Sequence, residues 1–148
     1  MHNANCYENT NVTKIKLQEK GKQVIFLNPQ KEEFVKAKVD GCIISNAVAC
    51  DWLVVKKGVG SILVELKGCD VSHALDQIRE TFEKLTKRQL IEGQPAALIV
   101  CRKPSTYPSF TSKHQKLKQE LRNKYKAPLH IKTGNYEYNF ESLLNHKG

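Results

Sequence analysis

The hydrophobic pattern of this chain changes period at Gly68, and this change constrains the fold more than any other feature. Before it, two apolar runs at residues 51–55 and 61–67 are joined by a turn rich in lysine and glycine, which predicts an antiparallel strand pair. After it, apolar residues recur at i, i+3, i+4 and i+7 over residues 70–85, which predicts an amphipathic helix. A helix of this kind buries its apolar face on the sheet, so the fold is layered.

The remaining apolar segments complete a predicted order of five strands, a helix, a strand, a helix and two strands. The predicted strands are residues 14–18, 23–27, 35–40, 51–55, 61–67, 95–101, 129–132 and 136–138. An i, i+4 stripe of Leu117, Leu121 and Tyr125 marks the second helix, and a short terminal helix is expected from about Phe140. The first two strands and the last two are expected to be hairpins. We therefore expect an α/β or α+β protein with a central mixed β-sheet flanked by helices.

The length of 148 residues suits one domain with one hydrophobic core. Residues 1–12 are polar and rich in asparagine, so we expect a flexible N-terminal arm followed by a single domain over residues 13–148. No apolar run approaches the ~18 residues that a membrane-spanning helix needs. The first residues also lack the basic and apolar segments of a signal peptide. These features favour a cytoplasmic protein.

The five cysteines show no CxxC spacing, and their number is odd. We therefore expect neither a disulfide framework nor a structural zinc site. Small buried hydrophobic positions are the simplest expectation for all five.

The positive charge is concentrated in the last third of the chain. Of the formal net charge of +9, a net +7 falls within residues 102–148. A basic surface attracts polyanions and gives phosphate affinity that is independent of sequence, although a lysine-rich face can also serve solubility alone. The expected phosphate-holding residues all lie on the second predicted helix: Lys113, Lys116, Lys118, Arg122 and Lys124.

Three chemically active side chains converge at one end of the predicted strand pair. Glu65 and Lys67 share a face of their strand because side chains alternate. Asp51 opens the preceding strand, and the start of one antiparallel strand lies beside the end of the next. Two carboxylates can hold a divalent cation such as Mg²⁺, and a lysine can orient water or offset developing charge. This set suits hydrolysis of a phosphodiester.

Residues 40–102 resemble the PD-(D/E)xK nuclease superfamily, which has the restriction-endonuclease-like fold. The resemblance rests on residues 50–54 (CDWLV), on residues 62–68 (ILVELKG) and on the following helix with Gln77. Cys50 stands where the family name has proline.

The resemblance implies a role for each of five residues. Asp51 and Glu65 would be metal-binding acids, the Leu66 carbonyl a further metal ligand, and Lys67 the residue that positions water. Gln77 is similar to a helix glutamine that some branches of the superfamily use near the active site. No clear helix precedes the first strand of the motif, so the extra acid that such a helix often supplies has no assignment.

Other interpretations of these residues remain open at this point. Asp51 and Lys67 could form a cross-strand salt bridge on a solvated face. Gln77 could simply be exposed at the rim of the apolar face of its helix. Asp40 is more typical of a turn residue than of the site, and Glu33 is the other candidate for an additional acid.

The sequence thus predicts a Mg²⁺-dependent nuclease, with Mn²⁺ as a possible substitute and a DNA endonuclease favoured over one acting on RNA. A homodimer with two active sites is the simplest way for so small an enzyme to cut a duplex. The alternative is a non-catalytic nucleic-acid-binding or assembly module with a nuclease-like fold. The complete set of two acids and a lysine favours the enzyme.

Overall fold

The computed structural model describes residues 4–68, 70–101, 108–133 and 137–146. Short 3-10 turns lie at Ala4–Cys6 and Glu141–Leu144. In chain order the strands and helices are β1 (Tyr7–Thr10), β2 (Lys14–Glu19), β3 (Lys22–Leu27), β4 (Phe34–Lys38), β5 (Trp52–Lys56), β6 (Gly60–Lys67), α1 (Val71–Lys87), β7 (Gln94–Cys101), α2 (Pro108–Tyr125), β8 (Leu129–Thr133) and β9 (Glu137–Tyr138).

The larger sheet has six strands in the order β1-β4-β5-β6-β7-β8. The neighbouring strands β1, β4, β5 and β6 run antiparallel to one another in turn, whereas β6, β7 and β8 run parallel. Parallel neighbours need a crossover, and α1 and α2 supply the two crossovers. The expected mixed sheet with helices is therefore confirmed as a mixed α/β arrangement.

Strand β6 is buried on both faces because a layer packs on each side of the larger sheet. Leu63 faces the core formed with α1, whereas Ile62 and Val64 face a second core formed with the smaller sheet β2-β3-β9. Double coverage explains why this strand reads as a continuous apolar run. It also means that any polar side chain on β6 must find its partner inside the protein.

Both helices follow their predicted apolar stripes. Asp70 caps α1 by accepting a 3.0 Å hydrogen bond from the His73 N–H. On α2, Leu117 and Leu121 are buried and Tyr125 stacks on Phe82 of α1, with ring centroids 5.0 Å apart. Neither of the described helices is long and apolar enough to cross a membrane.

The prediction that the last two strands form a hairpin is wrong. Strand β8 instead extends the larger sheet by pairing parallel to β7, and β9 pairs parallel to β3 in the smaller sheet. The local pattern located both strands, but their partners are chosen by tertiary packing. Residues 134–136, where the hairpin turn was expected, lie outside the described residues.

The prediction of a flexible N-terminal arm is wrong for residues 4–10. The prediction that the chain has no disulfide framework is also wrong for one cysteine pair. Strand β1 pairs antiparallel with β4, with Tyr7 opposite Ala37, and Cys6 is bonded to Cys42. These cysteines are 36 residues apart, and pairing of β1 with β4 brings them together. Cys50 and Cys101 are buried thiols, as expected, and Cys69 lies outside the described part of the chain.

The disulfide generates a stability prediction. The double variant Cys6→Ala/Cys42→Ala should lower the free energy of unfolding by about 3–4 kcal/mol, because a cross-link over a loop of this length restricts the unfolded chain. Urea denaturation measures the loss. Reductant should cause a similar loss in the wild type and none in the double variant. Equal stability of the oxidised wild type and the double variant would contradict the prediction.

Candidate active site

The candidate site lies where the β5–β6 ladder ends. The last paired residues are Trp52 and Val64, and beyond them two carboxylates bridge the strands. The Asp51 N–H donates to Glu65 Oε1 at 3.0 Å, and the Leu66 N–H donates to Asp51 Oδ2 at 2.9 Å. Each acid therefore satisfies a main-chain donor of the opposite strand, which fixes both carboxylates at the same strand end.

Burial gives this pair unusual proton affinities. Glu65 is 1% exposed and Asp51 7%. Burial, reinforced by the negative charge of Asp51, raises the pKa of Glu65 to about 8, and Lys67 only partly offsets this. Burial also raises the pKa of Asp51, against the opposing effect of the Leu66 N–H. At neutral pH the two acids therefore retain a proton between them unless a cation compensates their charge.

Lys67 approaches the pair from the β6 side. Its Nζ lies 3.6 Å from Glu65 Oε2, and its side chain is 23% exposed. The ammonium thus connects the buried carboxylates with the surface. The alternative interpretation, a salt bridge between Asp51 and Lys67 on a solvated face, is wrong. Asp51 is buried, and Lys67 forms its ion pair with Glu65.

Gln77 is buried, so the alternative that it is simply exposed at the helix rim is wrong. Its Nε2 donates to the Ala49 carbonyl at 3.0 Å, and one turn later the Thr81 hydroxyl accepts from the Cys50 N–H at 2.8 Å. Helix α1 thereby holds the main chain that leads into Asp51. Within the described contacts Gln77 hydrogen-bonds to this segment rather than to either acid, which makes it a positioning residue. Its Oε1 is buried without a hydrogen-bond partner among the described residues.

Neither candidate for an additional acid joins Asp51 and Glu65 in a metal-holding group among the described residues. Glu33 precedes Phe34, which is paired with Lys56 at the far end of β5. Four residues of strand, about 13 Å, separate that end from Trp52. Asp40 is exposed, and its main-chain N–H donates to the Cys50 carbonyl at 3.1 Å before a turn, in agreement with the turn assignment.

Glu19 and Lys38 are charged neighbours of the site that sequence reasoning missed. They form an ion pair, and the Lys38 ammonium lies 5.1 Å from the centre of the Trp52 ring. Glu19 raises the pKa of Asp51 and Lys38 lowers it, after the larger effects of burial and the Leu66 N–H. Lys38 alternates with Ala37 on β4, which is typical of a residue on the polar face of a strand. No sequence signal placed Glu19, because packing of the β2–β3 hairpin brings it there.

The donor set at this strand end consists of oxygen atoms. In the part of the chain that the structure describes, no group of three or more His, Cys, Asp and Glu side chains could hold a metal ion. Asp51 and Glu65 each keep one carboxylate oxygen beyond those that accept main-chain N–H groups. In an extended strand the N–H and the carbonyl of one residue point to the same side, so we expect the Leu66 carbonyl on the side of β6 where its N–H meets Asp51. Two carboxylates and a carbonyl fit Mg²⁺ or Mn²⁺, which commonly keep several water ligands.

The five basic residues expected to hold phosphate do not form one surface. Lys113 is held by α1, with its Nζ 2.8 Å from Asp76 Oδ2 and 3.1 Å from Ser72 Oγ. Lys124 lies 3.5 Å from Glu120 on its own helix. Lys124 is nevertheless exposed, as are the other three: Lys116, Lys118 and Arg122.

Comparisons with protein-family models, with curated protein sequences and with solved structures find no match to this chain. The chemistry of the site therefore follows from its own residues. These are two buried carboxylates that share a strand end, a partly exposed lysine beside them and a helix glutamine that holds the entering main chain.

The raised pKa of Glu65 predicts an unusual pH dependence of stability. An unfolded glutamate titrates near pH 4.3, whereas the folded pKa of Glu65 is about 8. Between these values the folded state binds more protons, so the free energy of unfolding should fall as the pH rises, by an amount on the order of a few kcal/mol. Urea denaturation in EDTA at pH 5, 6, 7 and 8 measures this slope.

Glu65→Gln should flatten the slope, since the amide keeps an acceptor for the Asp51 N–H but cannot ionise. The exposed Glu33→Gln is the matched control and should keep the wild-type slope. Equal slopes in the wild type and in Glu65→Gln would show that Glu65 titrates normally in the folded state.

Proposed function

We propose that this protein is a metal-dependent nuclease that hydrolyses phosphodiester bonds, with DNA as the first substrate to test. The observation that carries the proposal is the buried pair of Asp51 and Glu65 with Lys67 at its solvent side. Two desolvated carboxylates at one strand end resist joint ionisation, and a divalent cation is the partner that permits it. Perturbed acids of this kind are concentrated at functional sites.

We also propose that the fold is restriction-endonuclease-like. The motif strand β6 lies inside a mixed sheet, with an antiparallel neighbour carrying Asp51 on one side and a parallel crossover through α1 on the other. This arrangement supports the resemblance of residues 40–102 to the PD-(D/E)xK superfamily.

Each residue of the site has a distinct role in this proposal. A Mg²⁺ or Mn²⁺ ion held by Asp51, Glu65 and the Leu66 carbonyl would polarise the phosphate and lower the pKa of a bound water. The cross-strand hydrogen bonds hold the two carboxylates in place before any ligand arrives. Lys67 supplies a positive charge and mobile N–H donors that can orient water or offset charge on the phosphate. Gln77 keeps the main chain before Asp51 in position.

The charge of the protein supports nucleic acid as the partner. The net charge of +9 provides affinity for a phosphate backbone without base recognition. Two copies of the chain, each with one site, would be the simplest way to cut both strands of a duplex.

A second candidate function is nucleic-acid binding or assembly without catalysis. The observation in its favour is that both carboxylates already accept main-chain N–H groups, so they close the end of the β5–β6 ladder even without a metal. In that case, Asp51 and Glu65 would be structural residues.

Isosteric variants of the acids separate the two functions. Asp51→Asn and Glu65→Gln should each lower metal-dependent cleavage by a factor on the order of 10² or more, because a neutral amide is a poor ligand for a hard cation. Folding should persist, since each amide oxygen can still accept the main-chain N–H. Labelled single-stranded, duplex and branched substrates with Mg²⁺, Mn²⁺ or EDTA measure the rates.

Glu33→Gln, at the far end of the sheet, should cleave like the wild type. Wild-type cutting by either isosteric variant would overturn the nuclease proposal. Tight binding of nucleic acid without cleavage in any metal would favour the non-catalytic module.

The basic helix α2 gives a prediction about binding. Lys116→Gln and Arg122→Gln should each reduce the slope of log K against log salt by about 0.7 to 0.9, which is the loss of one phosphate contact. Lys113→Gln should change the slope little, because Asp76 already holds its ammonium. Fluorescence anisotropy with labelled DNA in EDTA measures the slopes. Unchanged slopes in a Lys116→Gln/Arg122→Gln double variant would mean that these two side chains only face solvent.

A further inference from the structure

A cationic pocket lies along β8, away from the carboxylate pair. Its volume is about 200 Å³. Five of its lining side chains carry or can carry positive charge: His114, Lys118, His130, Lys132 and His146. No acidic residue is among the described residues that line it. A pocket with this composition repels cations and suits an anion.

Three separate elements bring the basic groups together. His114 and Lys118 are four residues apart on α2 and therefore share a helix face. His130 and Lys132 are two residues apart on β8 and share a strand face. His146 follows the last 3-10 turn. The sequence separates these groups by up to 32 residues, so only the packing of α2 and the C-terminal turn against β8 creates the pocket.

Without an anion, the pocket disfavours protonation of its imidazoles. Burial lowers the pKa of His114, and the charge of Lys118 lowers it further. Burial also lowers the pKa of His130, with further lowering by Lys132, His146 and Lys118 and a partly opposing effect of the Leu143 carbonyl. That carbonyl lies 2.8 Å from His130 Nε2, so it accepts the Nε2–H and leaves Nδ1 as the position for a second proton.

We propose that this pocket binds a phosphate group, either as inorganic phosphate or as the terminal phosphate of a nucleic acid. A dianion would pair with the two ammonium groups and favour protonation of the imidazoles, which turns mutual repulsion into charge-assisted hydrogen bonding. The proposal goes beyond the proposed nuclease activity and does not depend on the metal site.

The position of the pocket in the sheet is compatible with a nucleic-acid end. Lys132 is paired with Val100, which is paired with Leu66 beside the carboxylates. Two strand spacings, about 10 Å, separate the main chains of Lys132 and Leu66. Because side chains alternate along a strand, Lys132 lies on the sheet face of Leu66, whereas Glu65 and Lys67 lie on the opposite face. A strand that reached both places would therefore have to pass the edge of the sheet at β8.

Calorimetric titration of the full chain with inorganic phosphate at constant ionic strength tests the proposal. Lys118→Gln and Lys132→Gln should each weaken binding about tenfold or more, since each removes a charge-assisted contact. Lys57→Gln removes the same charge from the exposed β5–β6 turn and should bind like the wild type. No binding by the wild type, or an equal loss in Lys57→Gln, would overturn the proposal.

Sulfate is the probe for the histidines, because it stays a dianion over the pH range in which they titrate. Bound anion raises the imidazole pKa values, so protons are taken up on binding and sulfate affinity should increase from pH 8 to pH 6. His114→Gln should reduce this increase. A pH-independent affinity would overturn the assignment of the histidines to the site.

Oligonucleotides in EDTA identify the source of the phosphate without cleavage. One strand is compared with a 5′-phosphate, with a 3′-phosphate and with hydroxyl groups at both ends. Stronger binding of one phosphorylated form, lost in Lys132→Gln but not in Lys57→Gln, supports the pocket and assigns it to a nucleic-acid end. Equal binding of all forms, together with inorganic phosphate binding that Lys132→Gln weakens, supports the pocket and assigns it to free phosphate.

Discussion

The candidate site depends on two reciprocal hydrogen bonds. The Leu66 N–H donates to the Asp51 carboxylate, and the Asp51 N–H donates to the Glu65 carboxylate. They replace ladder bonds at the point where β5 and β6 stop pairing. Each buried carboxylate is held by a main-chain N–H, and Lys67 adds an ion pair to Glu65. The same contacts bring two negative charges to one place, and this explains both the raised pKa of Glu65 and the expected need for a cation.

The layers around β6 explain why these contacts persist. Side chains on one face of the strand pack beneath α1, and those on the other face pack against the smaller sheet. Water that would otherwise solvate the acids is excluded, so their charges interact strongly. Helix α1 adds a second restraint through Gln77 and Thr81, which hold the main chain immediately before Asp51. The positions of Asp51 and Glu65 are therefore restrained by contacts with β5, with β6 and with α1.

The basic side chains of α2 lie on different faces of the helix although they are close together in sequence. Lys113 turns toward α1 and an acid, while Lys118, five residues later, lines the pocket along β8. Helical geometry sends residues at these positions to different faces. The net charge supports the proposal of a polyanionic partner, but it does not show which side chains would hold that partner.

The sequence by itself determined the β5–β6 pair, both helices and the side chains at the strand end, because each depends on local hydrophobic period or on strand alternation. It also indicated that Asp51, Glu65 and Lys67 share one end, since a short turn between two antiparallel strands places the start of the first beside the end of the second. Four features were decided only by tertiary structure. They are the partners of β8 and β9 in their separate sheets, the pairing of β1 with β4, the Cys6–Cys42 bond and the position of Glu19 near Asp51. All four join segments that are distant in sequence, and their partners are selected by the burial of whole surfaces, for which a local pattern carries no information.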